Sequence, residues 1–371
     1  MKRFVILGLA MVALGVGVLW FVRKGDAARV VTALPEEASS EEPRQTMQVE
    51  HHDLAPLWPA EPVVENPGPT NWLTRLQAGE MPELSAEEAE AYVTANKRSA
   101  ESLLAAFRAS KDKAYLREAL EKFPDDPKVN FAGYFEVLHN QSEYTVEERR
   151  AALERFAKAT PENSLVNYLA ASDYFKSGDA DKALEQFRNA ATKSALQDYS
   201  MEFVQNAEEA YRSAGYSEVD AKAIATSSVL LPHLAELKRA GMDLLELAGR
   251  YQQSGDEAQA REARELALQL AGKLEDGAQQ KFLINQLVGI AIERRVLAAL
   301  DPNSAYDSSG RTVQNRIEEM NQTRKSFKVN VAPIEGLLPT MTPTDQVAYF
   351  DRMRIYGEVA AAKWAVNKYA K

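Results

Sequence analysis

Residues 164–192 read SLVNYLAASDYFKSGDADKALEQFRNAAT. Leu165, Leu169, Ala170 and Tyr174 recur with the period of one helix face. Ser177-Gly178-Asp179 interrupts the pattern. Glycine fits a left-handed residue at a helix C-terminus, and Asp179 can cap the next helix through its carboxylate. The helical period returns in Ala183, Leu184, Phe187, Ala190 and Ala191. The small residues Ala171 and Ala183 let the two helices approach closely. A hairpin this short cannot bury its apolar face alone and needs stacked neighbours.

The stretch resembles a tetratricopeptide repeat (TPR). With Ser164 as the first position, Ala171, Tyr174, Gly178, Asp179, Ala183, Phe187 and Ala190 occupy the family's small, aromatic, Gly, Asp, Ala, aromatic and Ala places. Asn167 departs from the early tryptophan-like place, and Ala195 from the closing proline. A second copy, GMDLLELAGRYQQSGDEAQAREARELA, runs from Gly241 to Ala267. Leu244, Leu247, Ala248, Tyr251, Gly255, Asp256, Ala260 and Ala267 match in the same frame, while Arg264 replaces the second aromatic. The frames start 77 residues apart. That is two periods of about 34 with roughly nine residues over, so one irregular repeat lies between.

The resemblance implies a concave groove lined by defined positions of each repeat. These are Leu165, Tyr168, Ser172, Phe175 and Lys176 in the first copy, and Met242, Leu245, Gly249, Gln252 and Gln253 in the second. The surface they imply is apolar and neutral. It departs from the Lys/Asn/Arg arrangement with which chaperone-docking members hold a peptide carboxylate. The implied occupant is an amphipathic helix or an extended apolar segment of a protein partner. The competing expectation is that the chain's own irregular helices or C-terminal segment cover these positions.

Composition agrees with an all-α class: Gly and Pro are modest over 371 residues, and Ala, Glu, Leu and Lys are plentiful. Cysteine is absent, which removes disulfides and thiolate metal sites. The net charge is −10, and residues 1–24 carry four cations and no acid, so the remainder carries −14. A body that acidic repels phosphate backbones, and no nucleic-acid role is expected.

Phe4 to Val22 is an uncharged apolar run of 19 residues behind Lys2-Arg3. As a helix it spans roughly 28 Å, about one hydrocarbon core. Residues 1–24 are expected to be an uncleaved transmembrane anchor, with the body outside the cytoplasm on the periplasmic side. The rival is a cleaved signal peptide and a secreted protein, but the run is long for one and lacks a nearby small-residue site. Residues 25–70 hold seven of the sixteen prolines and several Glu pairs, and read as a disordered linker. Within it, HHDLAPLWP is either a docking peptide or a tail that packs on the body. His51-His52 has no metal-binding partners nearby.

Residues 71–371 read as a helical repeat domain. Ser85 with Glu88 forms a capping box for a helix running through Tyr92, Leu103, Leu104 and Phe107. Helices follow over Lys113–Phe123, Val129–Asn140 and Val146–Thr160. Tyr199, Phe203, Ala207 and Tyr211 mark the irregular repeat, with a further helix over 218–229. Pro232 opens a longer helix into the second copy. Gln279–Leu300 and Arg311–Phe327 are helical, Val329–Met341 is an extended excursion, and one C-terminal helix after Thr342 caps the last repeat.

No phosphate-cradling Gly loop, helical His-Glu-His pair or Gly-x-Ser-x-Gly turn is present. His139 and His233 each follow an apolar residue and read as structural. Adjacent acids such as Glu87-Glu88 and Asp125-Asp126 point about 100° apart on a helix and are solvated or capping groups. No cofactor, metal or catalytic residue is expected. The chain therefore reads as an irregular TPR-like α-solenoid with an N-terminal anchor, acting as a protein-binding scaffold in the cell envelope. The alternatives are a soluble secreted repeat protein, or an envelope enzyme with an acidic site built between repeats.

Overall fold

The computed structural model describes residues 75–76 and 79–369. The apolar run Phe4–Val22, the Pro-rich segment and its docking-peptide candidate lie outside these residues. Among the described residues the chain is all-helical, with isolated backbone bridges at Asn163–Ala195 and Ala305–Thr312 and no strand. No described helix is long and apolar enough to cross a membrane.

Helix α1 (Ala86–Ala95) opens on the expected capping box. The Ser85 hydroxyl accepts from the Glu88 amide at 3.2 Å, and the Ser85 amide donates to the Glu88 carboxylate at 2.8 Å. The helix does not run on to Phe107 as expected. Lys97 and Arg98 take left-handed φ values of 56° and 49°, and Ser99 caps a new helix, α2 (Ala100–Ser110). The reversal brings Arg98 Nε within 2.7 Å of Glu118 on α3 (Lys113–Lys122). The Ser99 hydroxyl accepts from the Ser102 amide, and the Arg98 contact ties the reversal to α3.

Helices α4 (Pro127–His139) and α5 (Val146–Ala159) form the next pair. Every residue of α4 from Val129 to Leu138 is buried. Helices α2, α3, α5 and α10 (Pro232–Gln253) all pack on it, and a helix apolar on all sides belongs inside.

The quoted stretch is the hairpin α6 (Ser164–Lys176) and α7 (Ala180–Ala191). Gly178 has φ +80°, and the Asp179 amide donates to the Tyr174 carbonyl at 3.0 Å. The Asp179 carboxylate then accepts from the Lys182 amide at 3.2 Å. Helices α10 and α11 (Glu257–Glu275) repeat this turn. Gly255 has φ +84°, the Asp256 amide donates to Tyr251 at 2.9 Å, and the Gln259 amide donates to Asp256 at 3.1 Å. Both are left-handed helix ends followed at once by a side-chain cap.

The irregular hairpin is α8 (Ser200–Ser213) and α9 (Glu218–Ser227). Helix α8 packs on α1 and α2, and the Tyr211 hydroxyl donates to the Pro82 carbonyl at 2.9 Å. Lys222 of α9 reaches Glu208 at 2.9 Å and, on α15 (Pro343–Tyr356), Asp351 at 2.7 Å. With this hairpin turned aside, α10 packs on α6, and α11 on α7.

Helix α12 (Leu283–Leu297) closes on α10 and α11, and α13 (Val313–Val331) follows on α12. The stretch Val329–Met341 is not extended. Helix α13 continues to Val331, α14 is the single turn Ile334–Leu337, and a 3-10 turn spans Leu338–Thr340. Pro333 and Pro339 sit at the starts of these turns, where a missing N–H is harmless. Burial of Ile334, Leu338 and Met341 then favours the compact form. The C-terminal helix is also divided. Gly357, at φ +90°, separates α15 from α16 (Glu358–Tyr369). A Cβ at Gly357 would lie 3.2 Å from the Lys281 carbonyl, to which the Glu358 amide donates at 2.8 Å. Helix α16 packs on α13, α14 and α15.

Candidate functional site

The positions expected to line a groove on α6 divide into interior and surface. Leu165, Tyr168 and Ser172 are buried. Ser172 Oγ donates to Glu236 Oε2 at 2.6 Å, and Lys176 Nζ lies 2.7 Å from the same oxygen. Burial alone raises the Glu236 carboxyl, but Lys176 and Ser172 outweigh it and hold the group below its ordinary value. The Tyr168 ring packs edge-on against Phe187 at 5.3 Å, and its buried hydroxyl has no hydrogen-bond partner.

These positions are inside because α10 begins at Pro232, nine residues ahead of the repeat frame at Gly241. That leading segment, which carries Glu236, packs on α6 and α4. Burial of Leu165, Tyr168 and Ser172 corrects their placement on an open groove: the chain's own helix covers them. Phe175 is half-buried beside Phe187, 6.4 Å between ring centroids. Met242 and Leu245 are half-buried, while Lys176 and Gln252 are exposed, Gln252 accepting from Arg264 at 2.6 Å. The accessible part of the expected groove is therefore Phe175, Lys176, Met242, Leu245 and Gln252.

A second feature carried no motif. The connector 192–199 between α7 and α8 is held from both sides by side chains. Asn163 accepts from the Gln197 amide at 3.0 Å and donates to the Gln197 carbonyl at 2.8 Å. Ser164 Oγ donates to the Ala195 carbonyl at 2.6 Å. From the opposite side, Gln280 Nε2 donates to the Leu196 carbonyl at 2.9 Å, and Asn285 donates in turn to Gln280. Between connector and amides lies a cleft of about 340 Å³, lined by Asp198, Tyr199, Glu202, Lys281, Phe282 and Asn285 among others. That is the small end of ligand pockets, which run about 300–1,000 Å³. The roughly nine surplus residues in the repeat spacing and the Gln279-Gln280 pair were the only sequence signals for it.

Behind the cleft, His233 Nε2 lies 3.2 Å from Asp198 Oδ2, but neither ring nitrogen has an aligned hydrogen-bond partner. Burial would raise the Asp198 carboxyl; His233 and the Ser200 amide more than offset this and hold it charged. The His233 ring is buried against Phe131, 5.9 Å between centroids. Arg108 lays its guanidinium 4.4 Å over the Phe203 ring, and burial pushes it down to about 10. The cleft is lined by amides, rings, hydroxyls and aliphatic side chains, with one charge of each sign besides Asp198. Such groups recognise by hydrogen bonding and shape. Among the described residues no three His, Asp or Glu side chains gather in a metal-holding arrangement.

No protein-family model, no curated protein and no solved structure matches the chain.

Proposed function

We propose that the chain is a membrane-anchored scaffold of the cell envelope whose body is an irregular TPR-like α-solenoid that binds a protein partner. One observation carries this reading. The turns at Gly178-Asp179 and Gly255-Asp256 share the same backbone conformation, the same amide-to-tyrosine-carbonyl bond and the same aspartate cap. Their helices also lie side by side, α6 with α10 and α7 with α11. Repetition at this level is what a stacked repeat array requires. The partner surface is the accessible remainder of the groove, with Phe175 on α6 and Met242 and Leu245 on α10. The anchor is Phe4–Val22.

The test is crosslinking in membranes followed by purification, comparing the intact chain with Phe175→Ala/Leu245→Ala. Both residues are partly exposed, so the variant keeps the fold, which its thermal midpoint checks. Specific recovery of one protein by the intact chain and its loss in the variant supports the reading. Equal recovery moves the partner to another face. If neither chain yields a specific partner, the scaffold reading is rejected.

A further inference from the structure

Helices α11, α12 and α13 meet at a polar cluster. Arg316 of α13 donates through Nε to Glu293 Oε1 at 2.7 Å and through Nη2 to Glu293 Oε2 at 2.6 Å. The same Nη2 lies 3.1 Å from Glu275 Oε2. The Tyr306 hydroxyl donates to Glu293 Oε1 at 2.7 Å. Glu293 is 3% exposed, and Glu275 Oε1 is buried without a donor. A Cβ at Gly289 would come within 2.7 Å of Glu275 Cγ, so α12 leaves room for that side chain.

Two carboxyl groups thus face one guanidinium, with Glu293 buried and Glu275 and Arg316 each about a fifth exposed. The other charges nearby do not relieve them. Glu319 of α13 lies 3.5 Å from Arg316 Nη1 and adds a third acid. Arg311 sits over the Tyr306 ring at 5.5 Å, but Asp307 and Glu319 already engage it. Helix α10 also packs on α11 and α12. Among the described residues Arg316 is the one cation within ion-pairing distance of Glu275.

We propose that a proton on Glu275 latches α13 onto α11 and α12, and that losing this proton as pH rises loosens α13. With the proton, Glu275 is a neutral acid that can donate to Glu293, and Arg316 neutralises Glu293 in full. Without it, two carboxylates compete for one guanidinium, and the cluster carries excess negative charge in a partly buried site. Burial first, and the Glu293 charge second, lift Glu275 to about 8. Glu293 itself is held low, because Arg316 and Tyr306 outweigh its burial. The folded value of Glu275 lies above the unfolded one, 4.5. Its stabilisation is therefore complete below that value and is lost as pH rises through about 8.

Hydrogen exchange of the full chain in detergent, from about pH 6.5 to 9.5 and corrected for intrinsic rates, tests the latch. Peptides within 313–331 should lose protection by about tenfold per pH unit as pH rises toward 8, the slope of one proton, and level off above it. Peptides within 164–191 should lose less protection over the same range than those within 313–331. Glu275→Gln should abolish the slope and keep α13 protected at the highest pH. Glu293→Gln should also abolish it, which keeps the test decisive if Glu275→Gln fails to fold. Glu358→Gln, which alters a different buried acid, should leave the slope intact. Flat protection of α13 in the natural chain, a slope that persists in Glu275→Gln, or a slope lost in Glu358→Gln overturns the proposal.

Discussion

Ser172 Oγ donates to Glu236 Oε2 at 2.6 Å, joining the first helices of the two Gly-Asp hairpins across 64 residues of chain. The same carboxylate receives Lys176. The pair fixes the crossing of α6 and α10, and it lies where an open groove was expected.

Glu236→Ala removes both contacts and leaves Ser172 without its acceptor. Lys176 is about a third exposed and re-solvates, so the loss is modest, about 1–2 kcal/mol. Urea unfolding should show a lower midpoint, and Ser172→Ala should add little in the Glu236→Ala background. Full additivity of the two would mean that they do not interact.

Tyr168→Phe should not destabilise. The Tyr168 hydroxyl is buried without a partner, and deleting an unsatisfied polar group recovers its desolvation cost, up to about 1 kcal/mol. Tyr168→Ala instead leaves a cavity beside Phe187 and should cost about 3–5 kcal/mol. A thermal midpoint that falls in Tyr168→Phe would sink this account of the hydroxyl.

Two helical glycines should respond oppositely to alanine. At Gly289 a Cβ would stand 2.7 Å from the Ala271 carbonyl and from Glu275 Cγ. Helix α12 would have to move off α11, at a cost of about 1–3 kcal/mol. At Gly249, within α10, nothing lies within 4 Å, so Gly249→Ala should gain about 0.5–1 kcal/mol from helix propensity. Calorimetric midpoints moving in the same direction would contradict the packing described.

Glu358 gives global stability a second alkaline component. Its carboxylate accepts from the Leu283 amide at 2.8 Å at the start of α12, and burial pushes it up to about 7. The folded value again exceeds the unfolded one, so this contribution is present below 4.5 and lost as pH rises through about 7. Denaturant midpoints measured from pH 5 to 9 should fall. The decline should be shallower in Glu358→Gln and nearly absent in the double variant with Glu275→Gln. A decline of equal steepness in the double variant would assign it to other groups.

Much of the helical layout was legible because its signals are local. Ser85 with Glu88, Pro232, Gly178-Asp179 and Gly255-Asp256 each act on backbone groups within one turn, and each stands where the pattern put it. The errors fell where a distant contact outweighs the local signal. The reversal at Lys97-Arg98 places Arg98 against Glu118, and the division at Gly357 places the Glu358 amide against the Lys281 carbonyl. The cleft was barely legible, since Asn163, Gln280 and Asn285 become a unit only when the connector 192–199 runs between them.

The sequence by itself determined the all-helical class and the two Gly-Asp hairpins, because caps, glycine φ and apolar period are set within a few residues. Only the tertiary structure decided which faces remain open. The irregular hairpin α8–α9 turns aside onto α1, α2 and α15, and the first turns of α10 close over α6. That places Tyr168 and Ser172 inside and leaves Phe175 and Leu245 at the surface. Helix period marks a face as apolar, and only the neighbour packed on it determines whether water or a partner can reach it.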